Sequence, residues 1–204
     1  MNDKDRMFAG KLYCPFKVES QWKEIHTAIK KFNNSNFWED STALNELKEL
    51  FLSTGEGFVL TPPFYCDHGN KICFGNHFYA NTGLTILDEN YVTFGDNVYL
   101  APHVSIYTAG HPIDARVRNT DLEYAKPVTV GSNVWIGGNV VINPGVIIGN
   151  NVVIGSGSVV TKDIPDGVIA VGNPCRVIRE ITESDRENWE AQYRDYLADE
   201  DCNR

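Results

Sequence analysis

The sequence predicts a parallel β-helix, an all-β solenoid whose coils are built from short straight sides. Three observations predict it. The first is a pair of apolar ladders on a six-residue beat. Val92, Val98 and Val104 carry one ladder; it resumes at Val128, Val134, Val140, Val146 and Val152, with Ser158 in phase. Two positions on run Phe94, Leu100, Ile106, Val130, Ile136, Ile142, Ile148, Ile154 and Val160. This beat matches neither the period of about 3.6 of an α-helix nor that of about 2 of a flat strand, and reads as a structural repeat. The second observation is the recurrence of turn-prone residues between rungs, as in Gly131-Ser132-Asn133, Asn143-Pro144-Gly145 and Gly155-Ser156-Gly157. They supply positive φ and tight corners. The third is that the beat stops between Ala109 and Pro127 and returns at Val128 in phase. A segment that leaves the ladder undisturbed is a loop inserted at a corner, and loops of this length are usually functional.

Three regions are expected: an N-terminal helical segment over 1–57, a β-helix over 58–180 carrying the inserted loop 109–127, and a helical tail over 181–204. In the first, Val18, Trp22, Ile25, Ile29 and Phe32 fall at helical spacing, as do Leu44, Leu47, Leu50, Phe51 and Leu52. Ser41 or Asp40 is placed to cap the second helix. Pro62-Pro63 enforces extended backbone. Hexads begin at Ile72, Phe78 and Leu84. A two-residue slip at Asn90-Tyr91 then predicts a bulge or widened corner. Coils of β-branched residues suit stacked strands, and stacking pairs each strand edge with the next coil. In the tail, Ile181, Trp189, Tyr193, Tyr196 and Leu197 are candidate packing residues, to cover the last coil or reach a neighbouring subunit.

The chain has 204 residues, 42% hydrophobic, with a net charge of −9. That charge argues against nucleic acid or an anionic membrane as partner. No apolar run approaches the ~18 residues of a membrane span, and the charged start MNDKDRMFAG has no apolar signal core. A cytoplasmic protein is expected. The five cysteines show neither a CxxC pair nor a disulfide framework.

RMFAGKLY (6–13), PPFYCDHG (62–69), HFYANTGLTILDE (77–89), TAGHP (108–112), LEYAKP (122–127), NVWIGGNVVINPGVIIG (133–149), GSGSVVTKDIP (155–165) and GNPCRVIREI (172–181) span nearly the whole chain. In these segments the sequence resembles the hexapeptide-repeat sugar O-acetyltransferases, the maltose and galactoside acetyltransferases and their nodulation-factor relative. The resemblance implies a left-handed β-helix, although parallel crossovers are otherwise overwhelmingly right-handed. It also implies acetyl-CoA as donor, no metal, and a homotrimer with active sites between subunits.

By the same resemblance His111, in the inserted loop, is the catalytic base. A sugar hydroxyl is a poor nucleophile at neutral pH, and imidazole is the side chain suited to take its proton. Glu123 would orient His111 and stabilise its cation. Asn81 would donate to the developing oxyanion. Acetyl-CoA would be held by Trp135, Gly138 and Ser156 along the pantetheine arm, and by Thr161, Lys162, Arg176 and Arg179 at the nucleotide end. Glu180 and Glu183 are alternative surface partners for the arginines. Asp67, Tyr79 and Glu89 align with acceptor-contacting positions. Two departures fall on the acceptor side: Pro15 stands where galactoside members carry a sugar-binding aspartate, and Glu89 replaces another aspartate.

Two other classes remain. His68, His77, His103 and His111 raise a zinc-dependent β-helical carbonic anhydrase, but without a close histidine pair. A non-enzymatic scaffold explains the ladders but not TAGHP together with the basic residues. Within acetyl transfer, a non-sugar hydroxyl or an amine is the alternative acceptor.

Overall fold

The computed structural model describes residues 1–202 and has the predicted parallel β-helix at its centre. Each coil contributes one short strand to each of three faces. The first face stacks Ser53–Thr54, Ile72–Phe74, Val92–Phe94, Val128–Val130 and Ile147–Ile148. The second stacks Val59–Leu60, Tyr79–Ala80, Val98–Leu100, Val134–Ile136, Val153–Ile154 and Val168–Val171, and ends on the antiparallel strand Arg176–Glu180. The third stacks Phe64–Cys66, Leu84–Leu87, Ser105–Tyr107, Val141–Ile142 and Val159–Val160. Both apolar ladders point inward and are buried, and Ser158 joins them by donating its hydroxyl to Gly155 O.

The corners divide their work between asparagine and glycine. Asn97, Asn133, Asn139 and Asn151 take positive φ, near 55°, as do His77 and His103. Asparagine tolerates this region better than other side chains do. The stacked glycines serve close approach instead. A Cβ at Gly131 would lie 2.7 Å from Gly149 O in the next coil.

Coil length changes along the solenoid. Ile72 pairs with Val92, a step of 20, whereas Trp135 pairs with Val153, a step of 18. The extra residues lie at the corner from the third face to the first, so the Asn90-Tyr91 slip is a widened corner. The wider coils are filled by phenylalanine: Phe58, Phe74, Phe78 and Phe94 stack or tilt against one another with centroids 4.6–5.6 Å apart. From Val128 to Val160 the buried rungs are valine and isoleucine, apart from Ser158. The solenoid also begins earlier than expected, at Ser53, which pairs with Cys73. Thr54, Leu60 and Cys66 already keep the six-residue beat.

The helices of the head have two jobs. Helix α1 (Asp3–Phe8), capped by the Asn2 side chain, lies against the base of the inserted loop. Helices α2 (Trp22–Asn33) and α3 (Thr42–Lys48) plug the open end of the solenoid with Ile25, Ile29, Phe32 and Leu47. Trp22, expected in that stripe, is exposed and stacks on His26. Asp40, not Ser41, holds the start of α3, accepting from Thr42 N at 2.8 Å. The inserted loop is more ordered than a bare loop. Ala109–Gly110 and Tyr124–Ala125 pair antiparallel at its base, and the one-turn helix α4 (Ala115–Arg118) is capped by Asp114.

Helix α5 (Glu183–Cys202) departs from one expectation. It leaves Trp189, Tyr193, Tyr196 and Leu197 exposed and does not cover the last coil. Trp189, Tyr193, Tyr196 and Leu197 fall at i, i+4, i+7 and i+8 on one face of the helix, and this face is left uncovered within the single chain. Ile181, just before it, is half-buried.

Candidate active site

Every departure from the regular coil falls on one edge. Residues 67–71, 88–91 and 108–127 all follow third-face strands and meet the first face, so the widened corners and the inserted loop lie one above another. A buried polar frame holds this edge. Asp88 is fully buried, and its Oδ1 accepts from Asp67 N and His68 N, both at 2.9 Å. Lys71 Nζ donates to Asp88 O at 2.9 Å. Asn90 Nδ2 donates to Ala125 O at 3.1 Å and to Met7 O at 3.3 Å, tying the loop base and α1 to the coil. Thr108 Oγ1 accepts from Asn90 N and donates to Leu87 O. Buried polar groups partnered in this way fix a single geometry.

On this frame opens a cavity of ≈ 280 Å³ lined by Asp67, Glu89, Tyr107, Gly110, His111 and Glu123. His111 Nδ1 lies 3.4 Å from Leu122 O. That arrangement suits an Nδ1–H donating to the carbonyl, which leaves Nε2 as the basic nitrogen. Glu123 bonds elsewhere than the resemblance implies. Its carboxylate accepts from the hydroxyl of Tyr13, while Leu122 O, not Glu123, takes the contact with His111. The cause is local pairing: Tyr13 and Glu123 exchange both backbone hydrogen bonds, which sets their side chains against each other.

The acidic groups sit in different fields. Burial, with the negative charge of Glu89 and Asp88, raises Asp67 from its ordinary 3.8 to about 6. Burial also lifts Glu123, against the Tyr13 hydrogen bond and helped by Glu89. Glu89 resists its own burial: the hydrogen bond and charge of His68, then Lys71 and Tyr13, hold it below the ordinary value. His68 Nε2 is 3.0 Å from Glu89 Oε2, and Ser20 Oγ is 3.0 Å from His68 Nδ1.

His111, Glu123, Asp67 and Glu89 are therefore brought together within one chain. Tyr79 and Asn81 are not among them. They sit at the far end of the second face, in a shallow recess with Tyr99 and Trp135. Asn81 Oδ1 accepts from Thr82 N at 2.7 Å, so its amide nitrogen is the group with hydrogens to offer. Gly138 and Ser156 lie near this second edge, between the second and third faces, and a Cβ at Gly138 would come 3.2 Å from Pro102 O. Thr161 and Lys162 follow the last third-face strand and are exposed. Arg176 and Arg179 lie on the antiparallel strand. Arg176 donates to Cys175 O, and Arg179 pairs with the Asp185 carboxylate at 2.6 Å, not with those of Glu180 or Glu183, and donates to the backbone carbonyl of Glu180 at 2.9 Å. Trp135, half exposed, faces a groove with Arg179 and Trp189.

Two polar residues of the site take roles that the sequence reading did not give them: Tyr13, and His68, considered there only as a zinc ligand. Both lie in segments that carried the resemblance, KLY and CDHG, and their partners become visible only when the head folds onto the corner. For the zinc alternative, among the described residues no group of three or more His, Cys, Asp or Glu could hold a metal ion. His77 and His103 serve as left-handed corner residues.

Residues 127–162 match the family described as bacterial transferase hexapeptide (six repeats). The galactoside O-acetyltransferase of Escherichia coli is 45% identical over 192 residues, 93% of this chain and 95% of that protein. The structure of a maltose O-acetyltransferase from Clostridium difficile superposes with a TM-score of 0.85 at 46% identity, covering 90% of this chain and 99% of the other. A galactoside acetyltransferase in complex with coenzyme A superposes with a TM-score of 0.87 at 46% identity, covering 91% and 94%. The chain belongs to the hexapeptide-repeat acyltransferases, the family of the galactoside and maltose O-acetyltransferases.

Proposed function

We propose that the protein transfers the acetyl group of acetyl-CoA to a hydroxyl of a sugar or glycoside, directly and without an acetyl-enzyme. The observation that carries this reading is the cavity in which His111 stands with Glu123, Glu89 and Asp67. His111 Nε2 removes the hydroxyl proton as the sugar oxygen attacks the thioester carbonyl. The C–S bond breaks, and the imidazolium returns the proton to the departing thiolate, leaving an acetyl ester and free CoA. Glu123, in the same cavity, stabilises the imidazolium by its charge. Asp67 and Glu89 accept hydrogen bonds from acceptor hydroxyls.

The other half of the machinery comes from a second copy. Asn81 donates to the oxyanion, where one donor is typically worth ~3 kcal/mol. Tyr79 contacts the acceptor. Trp135, Gly138 and Ser156 flank the pantetheine arm, and Arg176 and Arg179 receive the nucleotide phosphates, joined by Thr161 and Lys162, which follow a third-face strand as the His111 loop does. A site split between two edges of one solenoid is completed in a cyclic homotrimer, in which each interface joins the two edges. The outward stripe Val59, Tyr99 and Trp135 supplies exposed apolar surface for that contact. Among the described residues no helix is long and apolar enough to cross a membrane, and the proposed setting is the cytoplasm, where acetyl-CoA is available. The test is a CoA-release screen with free sugars, glycosides, other alcohols and amines, followed by mapping of the acetylated position. Ester formation on a saccharide supports the reading. CoA release with amines only, or with none of the acceptors, contradicts it.

A further inference from the structure

We infer that the hydroxyl of Tyr13 is a positioning group of the active site, holding the Glu123 carboxylate beside the His111 loop and separating it from Glu89. The inference rests on the proposed acetyl transfer for its catalytic consequence, and on geometry for the rest.

Tyr13 is 1% exposed, in a small core of its own with Met7 and Ala125, apart from the core of the solenoid. That core clamps the base of the inserted loop. Tyr13 N donates to Glu123 O at 2.9 Å and Glu123 N donates to Tyr13 O at 3.1 Å. The ring is therefore fixed at both ends, and its one hydroxyl proton is delivered between two carboxylates. It hydrogen-bonds Glu123 Oε1, and Glu89 Oε2 lies 3.5 Å away. The same Glu89 oxygen is held from the other side by His68, which is backed by Ser20. The row Ser20, His68, Glu89, Tyr13, Glu123 thus joins the N-terminal head to the loop that carries His111.

The chemical need is clear. Two glutamates lining one cavity repel when both are ionised, and the one buried with the weaker partners takes up a proton first. A protonated Glu123 cannot stabilise an imidazolium. The Tyr13 donor favours the ionised form and fixes its direction. Tyr13 touches neither reacting atom in this arrangement; it acts through Glu123.

The test is Tyr13→Phe, which keeps the ring and its packing and removes the hydroxyl. With the acceptor found by the screen, kcat should fall about 10-fold while the KM for acetyl-CoA stays unchanged. The acid limb of the pH–rate profile should move to higher pH. In a Glu123→Gln background the same change should have no further effect on kcat, because the partner it positions is already gone. A loss in the double variant equal to the sum of the single losses, or a wild-type profile in Tyr13→Phe, overturns the inference. A second readout needs no acceptor. The side-chain carboxylates of 13C-labelled glutamate, followed by NMR against pH, should place the Glu123 midpoint higher in Tyr13→Phe than in wild type. An unmoved midpoint overturns the inference even where turnover changes. A moved midpoint in a protein that acetylates no acceptor leaves the positioning intact and sinks the proposed reaction instead.

Discussion

The first three coils and the last three follow the same six-residue rule but differ in what they can hold. Between Ser53 and Tyr107 the coils step by 20 residues and pack phenylalanine inside. Beyond Val128 the step falls to 18, then to 16 at the last coil, and apart from Ser158 the rungs are valine and isoleucine. The extra residues of the wide coils all sit on one edge, and there they bury Asp88, Asn90 and Lys71, frame Asp67 and Glu89, and meet the inserted loop. The narrow coils have no room for such a corner. They offer an exposed aromatic and small-residue backbone instead, suited to lying beside an extended ligand. A repeat gains chemistry where it is lengthened, and the regular part remains a wall.

The comparison can be broken most forcefully at His111. His111→Ala should lower kcat by about 10²–10⁴-fold with CoA affinity unchanged, measured by steady-state CoA release and by calorimetry with CoA. Retained turnover would remove the base from the wide-coil edge. Next is the filling of the wide coils. Phe78→Ala should cost ~3–5 kcal/mol, against ~0.5–1.5 kcal/mol for Ile142→Val in a narrow coil, read from denaturant unfolding. Equal and small losses would mean the phenylalanines do not set the width. On the narrow side, replacing Arg176 and Arg179 together by alanine should raise the KM for acetyl-CoA about 10-fold at nearly constant kcat. An unchanged KM would take both arginines out of the donor site, leaving Arg179 its contacts with Asp185 and Glu180 O.

A pH-dependent effect is expected at Asp67. Its carboxyl is raised in the folded protein, so the unfolded chain ionises first as pH rises. Stability carried by the protonated form is complete below the ordinary value of 3.8 and is lost as pH rises through about 6. Between those values the melting temperature of wild type should therefore fall relative to Asp67→Asn as pH increases. Parallel curves would show that Asp67 is not held in its protonated form.

Much of this was legible in the chain. The ladders announce the coil because burial on a three-sided solenoid forces the six-residue period, and the phase kept across 109–127 marks the loop as an insertion. The slip at Asn90-Tyr91 was readable as a bulge or a widened corner, and the choice between them waited on the strand pairing. The first coil was harder to see. Thr54, Leu60 and Cys66 keep the beat, but Thr54 and Cys66 do not stand out as apolar rungs. The partners of Glu123 were not readable at all. Its contact with Tyr13 spans 110 positions and depends on the head docking beside the loop, which no local period encodes. The tail was legible as an apolar helix face, Trp189, Tyr193, Tyr196 and Leu197, but not in what it covers: within one chain it does not pack on the last coil.

The central claim is that the two edges, far apart in one chain, form one site across two chains. Mixed assemblies test it directly. His111→Ala and Asn81→Ala chains, each nearly inactive alone, would be co-refolded in equal amounts and assayed for CoA release. In a cyclic trimer with random mixing, about a quarter of the sites regain both residues, so activity should recover to about a quarter of wild type. Activity no higher than that of the two variants assayed separately would contradict the account.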